Sequence, residues 1–444
     1  MNKFSKDFIF GTATSSYQIE GAYQEDGRTL SIWDTFSRTP GKVFNMDNGD
    51  IACDHYHLYE KDIEILKTLG VDSYRFSIAW PRIFPEQGKY NEAGMNFYKK
   101  LITLLNQNGI KPAVTLYHWD LPIWAHEKGG WTNRESVNWF LEYAEKCFEE
   151  LDAHVEMWIT HNEPWCAGFL GYHQGVHAPG HTNMEEAVKA VHHMLLSHGE
   201  AVSLLKGKFA SETPIGITLN LSPMYPASNS ANDQLAANNA DGYTNRWFLD
   251  PVLKGSYPAD MMNLFSKYVH SFDFIQEGDL EKISVECDFF GINYYNRSLV
   301  EFNAASDFLF KSAYSDYPKT GMGWDISPAE FKELIHRLRK EYTNLPIYIT
   351  ENGSAFDDFV SDDHRVHDTE RQDYVEKHIR AVAKLNEEGM NVAGYYLWSL
   401  LDNFEWAFGY DKRFGITYVD FETQERILKD SGYRYAEIIR NRSI

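Results

Sequence analysis

The feature that most constrains the fold is a regular alternation of short apolar or β-branched runs with longer amphipathic stretches. The short runs are bounded by turn residues, which predicts buried strands, and the longer stretches have the periodicity of helices. Eight strands are predicted, at residues 8–13, 73–79, 113–117, 155–160, 215–220, 289–294, 347–350 and 394–398. The clearest helices predicted between them span residues 57–69, 95–106, 134–150, 185–205, 328–341 and 371–385.

Eight strands with intervening helices predict an α/β fold of the (β/α)8 or TIM-barrel type. The runner-up is a doubly wound open sheet. That fold usually has a glycine-rich first turn when it binds nucleotides, and neither G-x-G-x-x-G nor G-x-x-x-x-G-K-[ST] occurs here. A length of 444 residues suits a barrel, and no Gly/Ser linker or low-complexity tract divides the chain. We therefore expect residues 1–444 to form a single catalytic barrel domain.

The charge balance excludes two classes of partner. Lys and Arg number 42 against 64 Asp and Glu, and the resulting net charge of −22 opposes binding to phosphate backbones or to anionic lipid. We expect no nucleic-acid or membrane partner, whereas a homo-oligomer is compatible with the sequence. The chain starts without an apolar stretch long enough for a signal peptide, and no later run is long enough to span a bilayer. The expected location is the cytoplasm.

Cysteine and histidine spacing does not indicate a metal site. The four cysteines are scattered without a Cys-x-x-Cys pair, which favours free thiols over zinc ligands or disulfides. His173, His177 and His181 recur every fourth residue and would line one face of a helix, but the glycines and the proline among them argue against that helix. No His-Glu-x-x-His motif is present. We expect neither a metal nor another cofactor.

Polar and aromatic residues follow the predicted strands at the points where these strands end. Barrel enzymes carry their chemistry at the carboxyl ends of the strands, so these side chains are expected to meet at one mouth. The residues are Gln18, Glu20, Arg75, His118, Trp119, Asp120, Asn162, Glu163, Asn293, Tyr295, Glu351, Asn352, Trp398, Glu405 and Trp406. Carboxylates, amides and flat aromatic faces are what a sugar requires, because each ring presents hydroxyls at its rim and C–H bonds on its face. The sequence therefore predicts a sugar-binding mouth.

Seven segments resemble, in order, the motifs of glycoside hydrolase family 1, the β-glucosidase family. They are Phe10-Gly-Thr-Ala-Thr-Ser-Ser-Tyr-Gln-Ile-Glu-Gly-Ala22, Tyr74-Arg-Phe-Ser-Ile-Ala-Trp-Pro-Arg82, Tyr117-His-Trp-Asp-Leu-Pro122, Asn162-Glu-Pro164, Asn293-Tyr-Tyr295, Thr350-Glu-Asn-Gly353 and Leu401-Asp-Asn-Phe-Glu-Trp406. A single tripeptide would be weak support, but seven segments in order cover essentially the whole chain. The resemblance implies a barrel that hydrolyses β-glycosides with retention of configuration.

For the catalytic pair, the resemblance implies that Glu163 is the acid/base and Glu351 the nucleophile. A retaining pair of carboxyl groups stands about 5 to 5.5 Å apart, whereas an inverting pair stands about 6.5 to 9.5 Å apart. The resemblance also implies that Arg75 and Tyr295 hold Glu351 and that Asn162 contacts the 2-hydroxyl of the sugar.

For the substrate, the resemblance implies that Gln18, His118, Trp398, Glu405 and Trp406 bind the nonreducing sugar. Trp165, Asn220 and Trp324 fall where relatives line the aglycone path, although core packing competes as an explanation of Trp324. The expected substrates are cellobiose, oligosaccharides and aryl or alkyl β-glucosides. Glucose is favoured over galactose and fucose as the cleaved sugar.

Two alternative functions stay open, a 6-phospho-β-glucosidase and a sugar-binding barrel without catalysis. Phospho-glycosidases of this kind generally carry a small residue in place of Glu405, whose carboxylate would repel a phosphate by roughly 4 kcal/mol at 4 Å and an effective dielectric of 20. The inactive barrel is the weaker alternative because both glutamates are present.

Overall fold

The computed structural model of the chain describes residues 3–444. Eight parallel strands close into a barrel in the order β1-β8-β7-β6-β5-β4-β3-β2, which confirms the predicted (β/α)8 architecture. These strands are β1 (Ile9–Ala13), β2 (Ser73–Ser77), β3 (Lys111–Tyr117), β4 (Met157–Asn162), β5 (Ile215–Asn220), β6 (Phe290–Asn293), β7 (Ile347–Asn352) and β8 (Val392–Trp398).

All eight predicted strands are present, and the differences lie at their ends. Strand β4 begins and ends two residues later than predicted, because Asn162 still pairs with Thr218 of β5. Strand β7 continues to Asn352, which pairs with Leu397 of β8. Strand β2 ends at Ser77 instead of residue 79. The shift of β4 and the longer β7 place Asn162 and Glu351 within the barrel wall itself.

The six predicted helices are also present, and each matches its predicted range within a few residues. The helices of at least seven residues are His55–Leu69, Glu92–Gln107, Ser136–Leu151, Met184–Gly207, Ala231–Asp241, Trp247–Lys254, Ala259–Phe265, Pro328–Glu341, Thr369–Glu387 and Asp430–Asn441. Shorter α-helices are Ser16–Ile19, Ile32–Ser37, Trp80–Ile83, Ile123–Glu127 and Asp279–Ile283. Within residues 3–444, none of the helices has the length and hydropathy needed to cross a membrane.

Two small sheets lie outside the barrel. One joins Met224–Pro226, Ser298–Phe302 and Phe310–Ser312, and the other pairs Thr417–Val419 with Arg426–Leu428. These short strands are mostly half-buried or exposed and lack the buried apolar run of the barrel strands, so no pattern in the sequence predicted them. The first sheet contributes side chains to the cavity described below.

The barrel is closed by packing on both sides of its wall. The amphipathic helices bury one face against the outside of the strands; helix Glu92–Gln107, for example, buries Met95, Tyr98, Leu101, Ile102 and Leu105. A smaller cluster, which includes Ala113, Ile159, Phe289 and Tyr396, fills the interior. Gly11 lacks a side chain where the ring of Tyr396 packs against its backbone. A filled interior leaves the mouth at the carboxyl ends of the strands as the place for a ligand.

Candidate active site

A cavity of about 460 Å³ opens at the carboxyl ends of the strands, which is a suitable volume for a small sugar ligand. Its walls include ten of the predicted site residues, namely His118, Glu163, Trp165, Asn220, Tyr295, Trp324, Glu351, Trp398, Glu405 and Trp406. The other three, Gln18, Arg75 and Asn162, are buried and do not line the cavity. Arg75 and Asn162 contact the lining residues directly.

Three residues of this mouth have a left-handed backbone that side chains other than glycine rarely adopt. They are Trp119, Glu163 and Trp406, with φ values of 79°, 48° and 51°. Such conformations cost about 1 to 3 kcal/mol each and persist only where the surrounding contacts hold them. At Glu163, the backbone N–H donates to the Thr218 carbonyl at 3.0 Å, which fixes the turn directly after β4.

The carboxyl group of Glu351 is held by a cation and a phenol. Arg75 Nη1 donates to Oε1 at 2.7 Å, and the Tyr295 hydroxyl donates to Oε2 at 2.6 Å. Only 3% of Glu351 and 1% of Arg75 are exposed, so the ion pair is shielded from solvent. Both contacts stabilise the ionised carboxylate.

The carboxyl group of Glu163 has only neutral donors. Asn293 Nδ2 donates to Oε1 at 2.7 Å, and the thiol of Cys166 lies 3.0 Å from Oε2 as a second donor. Neutral hydrogen bonds stabilise an anion less than a bound guanidinium does. The two carboxyl groups therefore have different environments although both are buried.

An amide network behind the cavity wall connects the two glutamates. Arg75 Nη2 donates to Asn162 Oδ1 at 2.7 Å, and Asn293 Nδ2 donates to the same oxygen at 3.0 Å. Asn293 therefore binds both Asn162 and Glu163. The amide of Asn162 also lies 3.1 Å from His118 Nε2. Substitution of any one member would leave buried polar groups of its neighbours without a partner.

Burial and nearby charges also act differently on the pKa values of the two carboxyl groups. Burial raises the pKa of Glu163 to about 7, and the negative charge of Glu351 acts in the same direction. Burial also raises the pKa of Glu351, but Arg75, Tyr295 and Asn293 oppose this effect. When one proton is shared between the two groups, it therefore resides on Glu163, and Glu351 is the ionised partner.

Glu405 lines the same cavity as these two carboxyl groups. Burial raises the pKa of Glu405 to about 8, and the charges of Glu351 and Glu163 add to the effect. Among the residues that the structure describes, no side chain or backbone group pairs with its buried Oε2 atom. An unpaired buried carboxyl oxygen at a cavity is available to a ligand hydroxyl.

Stacked aromatic rings stand beside Glu405. The ring of His118 stacks on Trp398 and on Trp406 with centroid distances of 5.9 Å. Burial and Arg75 lower the pKa of His118 well below its usual value, so the ring is neutral. Flat faces with a neutral imidazole suit the C–H faces and hydroxyls of a sugar.

Gln18 is engaged by the protein itself. Its Nε2 donates to Asn403 Oδ1 at 3.0 Å and to the Phe404 carbonyl at 2.8 Å, and its Oε1 accepts from the Ser15 hydroxyl at 2.5 Å. Gln18 thus holds the loop that carries Glu405. Its Oε1 retains one lone pair, so a direct contact with a sugar stays a prediction.

The outer part of the cavity is lined mainly by apolar side chains. Trp165, Asn220 and Trp324 lie in this wall, and the ring of Trp324 packs 5.4 Å from that of Tyr295. Further lining residues that were not predicted are Leu170, Met224, Tyr243, Val300 and Phe310. Leu170 lies in the π-helix Cys166–His173 after β4, Tyr243 lies in the π-helix Gly242–Arg246, and the other three belong to the small sheet; no sequence motif marked these elements.

Three residues at the centre of the site had no individual predicted role, although Trp119 and Asn293 were expected at the mouth of the barrel. Asn293 stands at the end of β6, and its position in the motif with Tyr295 was the available signal. Trp119 packs 4.5 Å from Trp406. Cys166, which follows Asn-Glu-Pro-Trp, had no distinguishing pattern. Its proximity to Glu163 depends on the turn after β4.

The three regularly spaced histidines do not converge. His173 ends a π-helix, Cys166–His173, and lies 3.7 Å from Asp307, while His181 lies 2.6 Å from Glu186. His177 lines the cavity and packs against Trp119 and Trp406. Within residues 3–444, no group of three or more His, Cys, Asp or Glu side chains has the arrangement of a metal site.

Comparison with known proteins agrees with this architecture. The family model for Glycosyl hydrolase family 1 matches residues 1–444. Beta-glucosidase A of Acetivibrio thermocellus is 48% identical over 99% of this chain and 98% of its own length. The 1,4-beta-D-glucan glucohydrolase of Thermotoga neapolitana is 44% identical over the full length of both chains. The crystal structure of the GH1 beta-glucosidase from Exiguobacterium antarcticum B7 is 71% identical, covers 99% of both chains and superposes with a TM-score of 0.98. Because the family model and these relatives match along essentially the whole chain, the protein belongs to glycosyl hydrolase family 1 and is a glycoside hydrolase.

Proposed function

We propose that this family 1 enzyme is a retaining β-glucosidase in which Glu351 is the nucleophile and Glu163 the acid/base, within one catalytic domain. The observation that carries the assignment is the asymmetry of the two buried carboxyl groups. Glu351 binds Arg75 and Tyr295, whereas Glu163 binds only neutral donors. A nucleophile must be ionised and an acid must carry a proton, and the two environments favour these states.

The reaction then proceeds by double displacement. Glu351 attacks the anomeric carbon while Glu163 transfers its proton to the glycosidic oxygen, so the aglycone leaves as an alcohol. In the glycosyl-enzyme, Glu351 is an ester without charge, and the pKa of Glu163 falls. Glu163 then takes a proton from water as the oxygen of that water attacks the anomeric carbon and releases Glu351.

A terminal, nonreducing glucosyl residue is the proposed substrate of this site. Glu405 with its unpaired oxygen would accept sugar hydroxyls, and the stacked rings of His118, Trp398 and Trp406 would support the sugar ring. The printed names of the relatives, beta-glucosidase and 1,4-beta-D-glucan glucohydrolase, support cello-oligosaccharides as natural substrates. The apolar outer wall supports aryl and alkyl aglycones as well.

The two alternatives receive less support. The cavity wall contains neither Lys nor Arg among the described residues, so a phosphate group would have no cationic partner there, which disfavours a phosphosugar. An inactive barrel would not require the asymmetry between Glu163 and Glu351. Four unpaired cysteines, all buried, support the cytoplasm as the site of action, because disulfides are rare in that reducing compartment.

Three experiments test the proposed function. The first measures hydrolysis of nitrophenyl glucoside, galactoside, fucoside and 6-phosphoglucoside, and the glucoside is expected to react fastest. The second traps the enzyme with a 2-fluoro-glucoside, which should label Glu351. Glu163→Gln should lower kcat/KM for cellobiose by about 10²- to 10⁴-fold, with a smaller loss for the nitrophenyl glucoside, whose leaving group needs less protonation. Fastest cleavage of the phosphosugar, or labelling at another residue, would refute the respective assignment.

A further inference from the structure

Cys166 stands at the start of the π-helix Cys166–His173, directly after the turn that carries Glu163. Its backbone N–H donates to the Glu163 carbonyl at 3.0 Å, so the two residues are fixed relative to each other. The side chain is 8% exposed and forms part of the cavity wall. π-helical turns often occur at functional sites. This one brings a thiol to within 3.0 Å of Glu163 Oε2.

The two oxygens of Glu163 have partners of different chemistry. Oε1 faces the amide nitrogen of Asn293, which can only donate a hydrogen bond. Oε1 can accept this N–H whether or not Glu163 carries a proton, because a carboxyl oxygen has more than one acceptor position. Oε2 faces a thiol, which can donate through S–H or accept weakly through sulfur. The thiol is therefore the partner that can adjust when Glu163 gains or loses its proton.

We propose that Cys166 is a positioning residue that sets the pH at which Glu163 loses its proton; the inference rests on the proposed acid/base role of Glu163. When Glu163 is protonated, its O–H must point at the glycosidic oxygen, and the thiol is only a weak donor to Oε2. When the proton has passed to the glycosidic oxygen, the S–H donates to the carboxylate and stabilises its charge. When water returns a proton to Glu163, this hydrogen bond weakens again. The thiol proton stays on sulfur throughout.

The thiol is suited to this neutral role. Burial raises the pKa of Cys166 well above its usual value, and the charge of Glu163 adds to the effect, so the group remains S–H. A thiolate beside Glu163 would oppose formation of the carboxylate. A thiol stabilises the carboxylate moderately, which lets Glu163 alternate between acid and base.

Other titratable groups around Glu163 come from five strands of the barrel or the loops that follow them. Glu351 on β7 and Arg75 on β2 act on Glu163 directly, and the charge of Glu163 in turn affects Tyr295 after β6 and Glu405 after β8. The neutral ring of His118 after β3 lines the same cavity. None of these groups changes when Cys166 is replaced, so a shift of the pH profile on substitution reports the thiol.

The test compares Cys166→Val with Cys166→Ser. Valine removes the donor to the carboxylate, so the alkaline limb of kcat/KM against pH should move up by about 0.5 to 1 pH unit. Serine provides a stronger donor, so the limb should move down by a similar amount. A role in packing alone would not move the limb in opposite directions. Cys147→Val, in the buried face of helix Ser136–Leu151, is the matched control and should leave the limb unchanged.

Two further measurements distinguish failure of the inference about Cys166 from failure of the proposed role of Glu163. In the wild-type enzyme, one S–H stretch among those of the four buried thiols should shift in the infrared spectrum as Glu163 titrates, which gives a result even when a variant fails to fold. The shifting band should be absent from folded Cys166→Val. Glu163→Gln should lack the alkaline limb; an unchanged limb in that variant would refute the acid assignment itself. The inference about Cys166 alone would be overturned if Glu163→Gln loses the alkaline limb while both Cys166 variants keep the wild-type limb. An S–H stretch that does not change with pH would have the same meaning.

Discussion

At the scale of single residues, the pKa values of the catalytic pair predict the pH dependence of the reaction. Glu163 must be protonated in the first step, and its pKa is raised to about 7, so kcat/KM for a β-glucoside should fall as pH rises through this value. On the acid side, kcat/KM should fall as Glu351 takes up a proton, at a pH above the usual range of a glutamate because burial raises its pKa. Initial rates at low substrate concentration across pH measure both limbs. A profile that stays level well above pH 7 would contradict the prediction.

Motifs were sufficient to identify the two glutamates as candidates, but not their surroundings. The direction of the Glu163 side chain depends on a backbone φ of 48°, which no local pattern in the sequence indicates. The same turn decides that Cys166 and Asn293 reach opposite oxygens of one carboxyl group. Gln18 was predicted to bind the sugar, and its contacts with Asn403 and Phe404 became evident only from the folded loop. The separation of the two carboxyl groups, about 5 to 5.5 Å for retention, stays a prediction.

At the scale of secondary-structure elements, sequence periodicity predicted the repeated strands and helices of the barrel but not the irregular elements between them. The barrel strands are largely buried, and the six predicted helices each bury one apolar face, so the alternation of the two patterns is regular. The sheet that includes Met224–Pro226 has strands too short for such a pattern, and a π-helix differs from an α-helix by a hydrogen-bonding register that sequence does not reveal. Both irregular elements contribute to the wall of the cavity.

One close contact between strands provides a prediction at the element scale. Gly353 follows β7, and a methyl group there would overlap the carbonyl oxygen of Trp398 at the end of β8. Backbone cannot move aside as a flexible side chain can. Gly353→Ala should therefore separate the carboxyl ends of β7 and β8 and displace Glu351, two residues away. Because a displacement of about 1 Å can cost 10²-fold, kcat/KM should fall by about that factor.

The control for this prediction is Gly207→Ala, at the end of helix Met184–Gly207, where an added methyl meets no atom within 4 Å. Its kcat/KM and melting temperature should remain close to the wild-type values. Equal activity of the two alanine variants would show that the contact between Gly353 and Trp398 does not position the nucleophile.

At the scale of the whole molecule, a buried ion network fastens the C-terminal segment to the mouth of the barrel. Lys429 contacts Asp402 at 2.7 Å and Asp358 at 2.5 Å, and Arg371 contacts Asp358 at 2.7 Å. Arg413 contacts the second oxygen of Asp402 at 2.6 Å. Asp358 lies after β7, and Asp402 lies three residues before Glu405. These partners are up to 71 residues apart in sequence, so no local pattern pairs them.

Removal of the cation at the centre of this network should be costly. Lys429 is fully buried, and Lys429→Met would leave Asp358 and Asp402 each with one cationic partner fewer. Breaking a buried ion pair typically costs about 3 to 5 kcal/mol of the free energy of unfolding, whereas an exposed pair contributes less than about 1 kcal/mol.

The matched control is therefore Lys111→Met, which removes the half-exposed ion pair with Glu156. Urea unfolding of the two variants gives the comparison, and kcat/KM of the folded Lys429→Met protein tests whether the loop of Glu405 has moved. If the two substitutions reduce stability equally, the ion network does not hold the C-terminal segment. If only Lys429→Met loses both stability and kcat/KM, the ion network supports both the fold and the sugar-binding loop.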